Sequence, residues 1–236
     1  MEKGKLMVNI VCVLKTGGDY NKRYVFALLN TCEKYINEDF AFKCFTDDEG
    51  FLKDPNEGAI LTNVISNKKI LFSLIRLEKG YRGWWSKLEI FRNPGPNLYF
   101  DLDTIILSDL NPLIEIVKKL KSFDFLAMKK FNPLRWESEG MFASGIMGWN
   151  GDFRFVFEDF DYNNTIKNPH IHGDADIIFK ILEAHLIQIQ YLQDSFRGLY
   201  SYKWHCRGGL PKDVKIVCFH GKPRPHEVGG IYWNEM

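Results

Sequence analysis

Apolar positions along the chain fall into two rhythms. Short runs rich in Val, Ile, Phe and Leu predict strands: "LMVNIVCVL", "FAFKCFT", "AILTNVIS" and "NLYFDLD", the last opened by an "NPGPN" turn. Between them, "NKRYVFALLNTCEKYI" repeats apolar residues at helical spacing, with Val25, Leu28, Leu29, Cys32 and Ile36 on one side. "WWSKLEIFR" predicts a short helix. "LNPLIEIVKKLK" predicts another, with Asn111 as its cap and Pro112 in its first turn. Further on, "DFLAMKK", "FASGIMGWN" and "KIVCFH" read as strands and "DADIIFKILEAH" as a helix. The stretch from Asn67 to Arg82 has no readable rhythm and is expected to be a surface excursion. Strands and helices in alternation predict an α/β class with a mostly parallel central sheet in a mixed arrangement.

Composition narrows the function classes. The 236 residues suffice for one large domain, expected to span residues 1–236. A formal net charge of +1 gives no global nucleic-acid signature. No apolar run approaches the roughly 18 residues of a transmembrane segment, and "MEKGKLMVNIVCVL" reads as a first core strand rather than a signal peptide. Cys12, Cys32, Cys44, Cys206 and Cys218 are odd in number and scattered through apolar runs, as expected of buried thiols in a reducing, cytoplasmic setting.

Polar residues gather just after the strands: Lys15 to Asp19, Thr46 to Asp48, Asp101 with Asp103, and His220 with Gly221. In open α/β sheets ligands bind beyond the carboxyl ends of the strands, so these four loops are expected to share one site. Asp101 and Asp103, two apart on an extended chain, point to one side and could hold one divalent cation through hard oxygen ligands. The alternative is that Asp103 caps a turn and Asp101 pairs with a lysine. Lys87 is the long cation of an otherwise apolar, aromatic stretch, placed to neutralise a phosphate or an Asp, or to snorkel to the surface. His220 could serve as an imidazole ligand, Gly221 could allow close approach of a phosphate and Lys222 could bind one, with Arg224 and His226 as weaker candidates. Ser144 and Gly145 suit the wall of a polar pocket. Asp174 and Asp176 stand at a helix start, where capping and the helix dipole also favour them. His170 and His172 read as turn residues.

"YFDLDT" alone also resembles the phosphatase signature of the haloacid dehalogenase family, in which the first Asp is a covalent nucleophile. That motif is expected near the start of a catalytic core, and here about a hundred residues precede it. Taken in order, "KTGGDY", "FTDD", "GWWSKLEIF", "YFDLDT", "SGIMGW", "GDAD" and "CFHGKPRPHEV" resemble glycosyltransferases of the GT-A fold. The likeness is to the family-eight type, the glycogenin and galactosyltransferase group, and to short bacterial and phage proteins of that kind. It runs from Val8 to Val228. It implies a nucleotide-sugar donor, usually a UDP-sugar, an acceptor it does not name, and manganese or magnesium. It also implies Asp101, Asp103 and His220 as metal ligands. Lys87 would stand beside the acidic pair and the donor. Thr16, Asp19 and Tyr20 would border the nucleotide, with Thr46 and Asp47 nearby, and Lys222 with Gly221 would meet the diphosphate. Ser144, Gly145, Asp174 and Asp176 would face the sugars. Relatives often read Asp-Gln-Asp where this chain has Asp174-Ala175-Asp176, so any role of that Gln side chain is absent here. A non-enzymatic module that binds nucleotide sugars or glycans would carry the same fold.

Overall fold

The computed structural model describes residues 7–53, 60–63, 68–132 and 142–228, with backbone alone for 60–63. Strand β1 (Val8–Leu14) leads into helix α1 (Lys22–Tyr35), whose cap Asn21 accepts a hydrogen bond from the Arg23 N–H. Strands β2 (Phe40–Thr46), β3 (Ile60–Asn63) and β4 (Lys68–Arg76) follow. Then come a 3-10 helix over Gly83–Arg92 and strands β5 (Asn97–Phe100) and β6 (Thr104–Ile106). Helix α2 (Asn111–Lys119) precedes β7 (Asp124–Met128) and β8 (Ala143–Trp149). Helix α3 (Asp174–Ala184), β9 (Gln188–Tyr191), β10 (Leu199–Ser201) and β11 (Ile216–Cys218) complete the frame.

The main sheet has eight strands in the order β3-β4-β2-β1-β5-β8-β7-β9. Its centre, β4-β2-β1-β5, is parallel, while β3, β8 and β7 enter antiparallel pairings. This is the mixed, mostly parallel α/β sheet expected from the alternation of elements. Parallel strands need cover on both faces, and β1 shows how it is supplied. Ile10, Cys12 and Leu14 pack with Val25, Leu28 and Leu29 of α1 and Leu113 of α2. Val11 packs on the opposite face with Leu88, Phe91 and Trp149, and with Ile178 of α3. In a small second sheet, β10-β11-β6, β11 runs antiparallel to β6, and the Phe219 N–H donates to the Asp103 carbonyl at 3.1 Å.

Three expectations need correction. The supposed surface excursion contains β4, which lies between β3 and β2. Its alternation is plain in the fold, with Ile70 and Phe72 buried and Lys69 and Leu71 exposed, but Leu71 is apolar and blurs the pattern in the sequence. Asn111 is the first residue of α2 rather than its cap; its side-chain oxygen accepts from the Asn37 N–H at 2.9 Å. The "WWSKLEIFR" helix is of the 3-10 type, and Ser86 to Phe91 are all buried in it. A tight helix closed in on all sides brings a charged side chain into the interior only if partners wait there. Among the described residues, no helix is long and apolar enough to cross a membrane.

Candidate active site

The parallel strands β1, β2 and β5 end at Leu14, Thr46 and Phe100, and the loops that follow them meet at one edge of the sheet. The most buried charged group of the cluster there is Lys87. Its residue is 6% exposed, and its Nζ stands 2.9 Å from Asp101 Oδ1 and 2.7 Å from Asp174 Oδ2. It also donates to Ser144 Oγ at 3.2 Å and lies 5.3 Å from the centroid of the Tyr99 ring. Burial pulls the ammonium toward neutrality, but Asp101 and Asp174 more than offset this and hold it charged above the usual lysine range. The surroundings are closely fitted. Ser144 Oγ donates to Asp174 Oδ2 at 2.7 Å and the Tyr99 hydroxyl to Asp101 Oδ1 at 2.5 Å. The Asp101 N–H donates to the Gly145 carbonyl at 2.8 Å. A Cβ on Gly145 would come within 2.9 Å of Met128 Cε and 3.4 Å of Asp101 Oδ2, so a larger residue would push into this cluster. Asp176, in the first turn of α3, is buried and accepts from the His172 N–H at 2.7 Å, which anchors the helix start that presents Asp174.

A second cluster lies further out. Asp103 Oδ2 accepts from the Tyr20 hydroxyl at 2.8 Å and from Arg224 Nη1 at 3.1 Å. Arg224 also donates to Asp19 Oδ2 from Nη2 at 2.9 Å and from Nε at 3.1 Å, and its guanidinium lies 4.8 Å from the Tyr20 ring centroid. Withdrawal from water pushes the Asp103 carboxyl up to about 7; the Asp101 charge adds to this, and Tyr20 and Arg224 oppose it. Asp101 is raised as well, first by its depth, against the pull of Lys87, although 33% of its side-chain surface stays open. Beside this cluster is a groove of about 320 Å³ lined by Asp19, Asn21, Arg23, Tyr24 and His226.

The loops after β1 and β2 are tied together. Asp47 accepts from the Thr16 N–H at 2.8 Å and the Thr16 hydroxyl at 2.9 Å, and pairs with Lys15. Thr46 is fully buried, and its hydroxyl accepts from the Asp48 N–H at 3.1 Å, so it supports the loop instead of facing a ligand. Of the proposed metal ligands, Asp101 and Asp103 sit on one turn, closed by a hydrogen bond from the Thr104 N–H to the Asp101 carbonyl. They are not on an extended segment, and they face different cations. The His220 ring is turned to Ser201 Oγ at 2.6 Å and stacks on Phe131 at 5.9 Å. Burial, followed by Lys203, lowers its pKa and favours the neutral imidazole. Gly221 takes a φ of 76°, which glycine accepts without strain. Lys222 is exposed and lies 3.3 Å from Glu227 Oε1. Among the described residues, no three His, Cys, Asp or Glu side chains converge as a metal cluster. The acidic pair suits a hard divalent cation by its chemistry, two carboxylates withdrawn from water, with the Asp101 charge adding to the proton affinity of Asp103; His220 in this orientation does not join it.

The four strand-end loops thus share one site, and Lys87, Asp101, Asp174 and Ser144 come together in it. Sequence reasoning missed Tyr99, although its i, i+2 spacing from Asp101 was a usable signal, and it underrated Arg224, for which no local signal exists.

No known protein-family profile matches the chain, and no curated protein matches it in sequence. Solved structures do. GlyE, a glycosyltransferase of Streptococcus pneumoniae TIGR4, superposes with a TM-score of 0.64 at 12% identity, covering 98% of this chain and 60% of that one. The bifunctional glycosyltransferase WbbM gives 0.61 at 14% identity, over 93% and 47%. The galactosyltransferase LgtC, in complex with donor and acceptor sugar analogues, gives 0.55 at 13% identity, over 96% and 92%. The chain has a glycosyltransferase fold. This bears out the GT-A class expected from the ordered blocks. The chain spans about 60% of the length of GlyE and under half that of WbbM.

Proposed function

We propose that the chain transfers a sugar from a nucleoside-diphosphate donor, with UDP-sugars as the donor class, to an acceptor hydroxyl. The observation that carries this reading is the Lys87 bridge between Asp101 and Asp174 at the carboxyl edge of the parallel strands. A buried cation between two fixed carboxylates, on a fold of this type, suits the recognition of a sugar next to a diphosphate. In the proposed reaction the bond from the anomeric carbon to the diphosphate oxygen breaks, and its electron pair leaves on that oxygen. The acceptor oxygen forms the new bond to the anomeric carbon, and its proton passes to the departing phosphate oxygen. Retention of configuration by front-face attack fits this arrangement, with Asp174 holding sugar hydroxyls and Asp176 fixing the helix start. Ala175 offers no side chain for a covalent intermediate.

Manganese or magnesium, held by Asp101 and Asp103, would neutralise charge developing on the diphosphate. His220 would add a ligand only on leaving Ser201. Thr16, Asp19, Tyr20 and Asp47 would border the nucleotide, and Gly221 and Lys222 the phosphates. The haloacid dehalogenase alternative would need Asp101 free for attack on phosphorus, and Lys87 with Tyr99 engage its Oδ1. Five cysteines that are buried and free accord with a cytoplasmic setting. Calorimetric titration of UDP with and without manganese, followed by NMR of the first-formed glycoside, tests the reading. We expect metal-dependent UDP binding and a retained anomer. An inverted product would overturn the family-eight likeness, and the absence of both UDP binding and turnover would overturn the transferase.

A further inference from the structure

Asp101 and Asp103 are held in the same way, although by different elements. Each is gripped at one oxygen by a tyrosine hydroxyl and a cation. Asp101 Oδ1 accepts from the Tyr99 hydroxyl at 2.5 Å and stands 2.9 Å from Lys87 Nζ. Asp103 Oδ2 accepts from the Tyr20 hydroxyl at 2.8 Å and from Arg224 Nη1 at 3.1 Å. A carboxylate oxygen has about two lone-pair sites, so each gripped oxygen is saturated. Among the described residues no hydrogen bond reaches the other oxygen, Oδ2 of Asp101 or Oδ1 of Asp103. Neither of those two atoms is sealed from solvent, so each acid keeps one oxygen open to a ligand.

The tyrosines are placed to maintain this division. Tyr99 is buried within β5, between Val11 of β1 and Met147 of β8, and its hydroxyl leaves Asp101 only if the core opens. The Tyr20 ring is held between the Tyr24 ring, edge-on at 5.0 Å, and the Arg224 guanidinium at 4.8 Å. We propose that Tyr99 and Tyr20 determine which cation the acidic pair accepts: by occupying one oxygen of each acid they limit both to single-oxygen ligation, which selects manganese or magnesium over calcium. This rests on the reading that Asp101 and Asp103 hold the divalent cation. Calcium takes a larger and more flexible oxygen shell and accepts both oxygens of one carboxylate, whereas magnesium demands near-ideal octahedral geometry. Manganese in all-oxygen sites is octahedral too. A carboxylate that chelates through both oxygens spans an angle well below the octahedral right angle, so it suits calcium and not the smaller ions. If the hydroxyls only compensated buried charge, their loss would change the affinity for every cation by one factor.

The test uses the full chain without nucleotide. Electron paramagnetic resonance of free manganese, with calcium as competitor, gives the ratio of the two affinities. We expect wild type to prefer manganese by roughly tenfold or more, and Tyr99→Phe, which keeps the ring and removes only the hydroxyl, to lose roughly threefold or more of that ratio. Tyr20→Phe should do the same at Asp103, and it carries the test if Tyr99→Phe does not fold. A wild type that binds neither ion, or binds calcium as well as manganese, overturns the proposal. So does an unchanged ratio in the normally melting variants, even where both affinities move together. UDP calorimetry and product NMR judge the transferase separately. A chain that transfers sugar while its ion ratio ignores both hydroxyls keeps the transferase and loses the selectivity device. A chain whose ratio follows the hydroxyls but which never binds UDP keeps the device and loses the transferase.

Discussion

The two charge clusters at the sheet edge differ in how they are closed. The inner one joins Lys87, Asp101, Asp174 and Ser144, drawn from the 3-10 helix, the end of β5, the start of α3 and the start of β8. All are framework elements, and the cation is almost sealed. The outer one joins Asp103 and Tyr20 to Arg224, which lies beyond the last strand and pairs with an Asp19 that stays half exposed. The inner cluster is fixed before any ligand arrives, as electrostatic preorganisation requires. The outer one is a set of contacts that a diphosphate or cation could replace one for one. Position within the framework, rather than the types of residue involved, separates the two.

The comparison breaks most visibly at Lys87. Lys87→Ala leaves two partly buried carboxylates without their shared cation. Removing one partner of a buried pair costs roughly 3–5 kcal/mol, and, on the proposed reading, losing a fixed charge beside the reacting groups would cost on the order of a hundredfold or more in kcat. We expect both a clearly lowered melting temperature and a collapse in turnover. A variant with wild-type stability and kcat/KM would show that the inner cluster is neither sealed nor used.

Arg224→Ala should act more gently. Losing hydrogen bonds to charged groups costs roughly 1–3 kcal/mol. With the guanidinium gone, Asp103 lacks its counter-charge, so manganese binding without nucleotide should strengthen roughly three- to tenfold, or about 0.7–1.4 kcal/mol. Isothermal titration of manganese into both proteins decides it. Unchanged or weaker binding would mean that Arg224 and a cation do not compete for Asp103.

A third effect concerns pH. With a folded-state value of about 7, the Asp103 carboxyl binds its proton more tightly in the folded protein than in the unfolded chain, where it titrates near 4. Between those values the folded state holds the extra proton, so raising the pH removes an advantage and stability falls. In the metal-free protein, Asp103→Asn should flatten that decline. Urea midpoints measured at intervals from pH 4.5 to 7.5 should fall less steeply for the variant, and parallel slopes would contradict the assignment.

Much of this arrangement was legible in advance where a pattern is local. The runs that became β1, β2 and β5, the helical spacing of α1 and the position of polar residues after the strands all depend on neighbours within a few residues. Lys87 stood out because a lone cation in an aromatic stretch needs a partner. β4 was missed because Leu71 puts an apolar residue on its solvent side, and Asn111 because its oxygen is taken by Asn37, 74 residues away. Arg224 could not be found locally: its partners lie 121 and 205 residues away along the chain.

The amino-acid sequence by itself determined most of the segments that become strands and helices, β4 excepted among the central strands, and that acids would stand at strand ends, because side-chain alternation and turn chemistry act over short distances. Only the tertiary structure decided which acid meets which cation. Asp101 and Asp103 sit two residues apart, yet the turn between them directs one carboxylate to Lys87 in the interior and the other to Arg224 at the rim. The same holds for His220, whose ring rests on Ser201 and Phe131 and not on the acidic pair beside its backbone. Charges and rings are satisfied by whatever the packed elements bring within about 3–4 Å, and that is set by the sheet order and the closing of the chain's last segment, which no local pattern encodes.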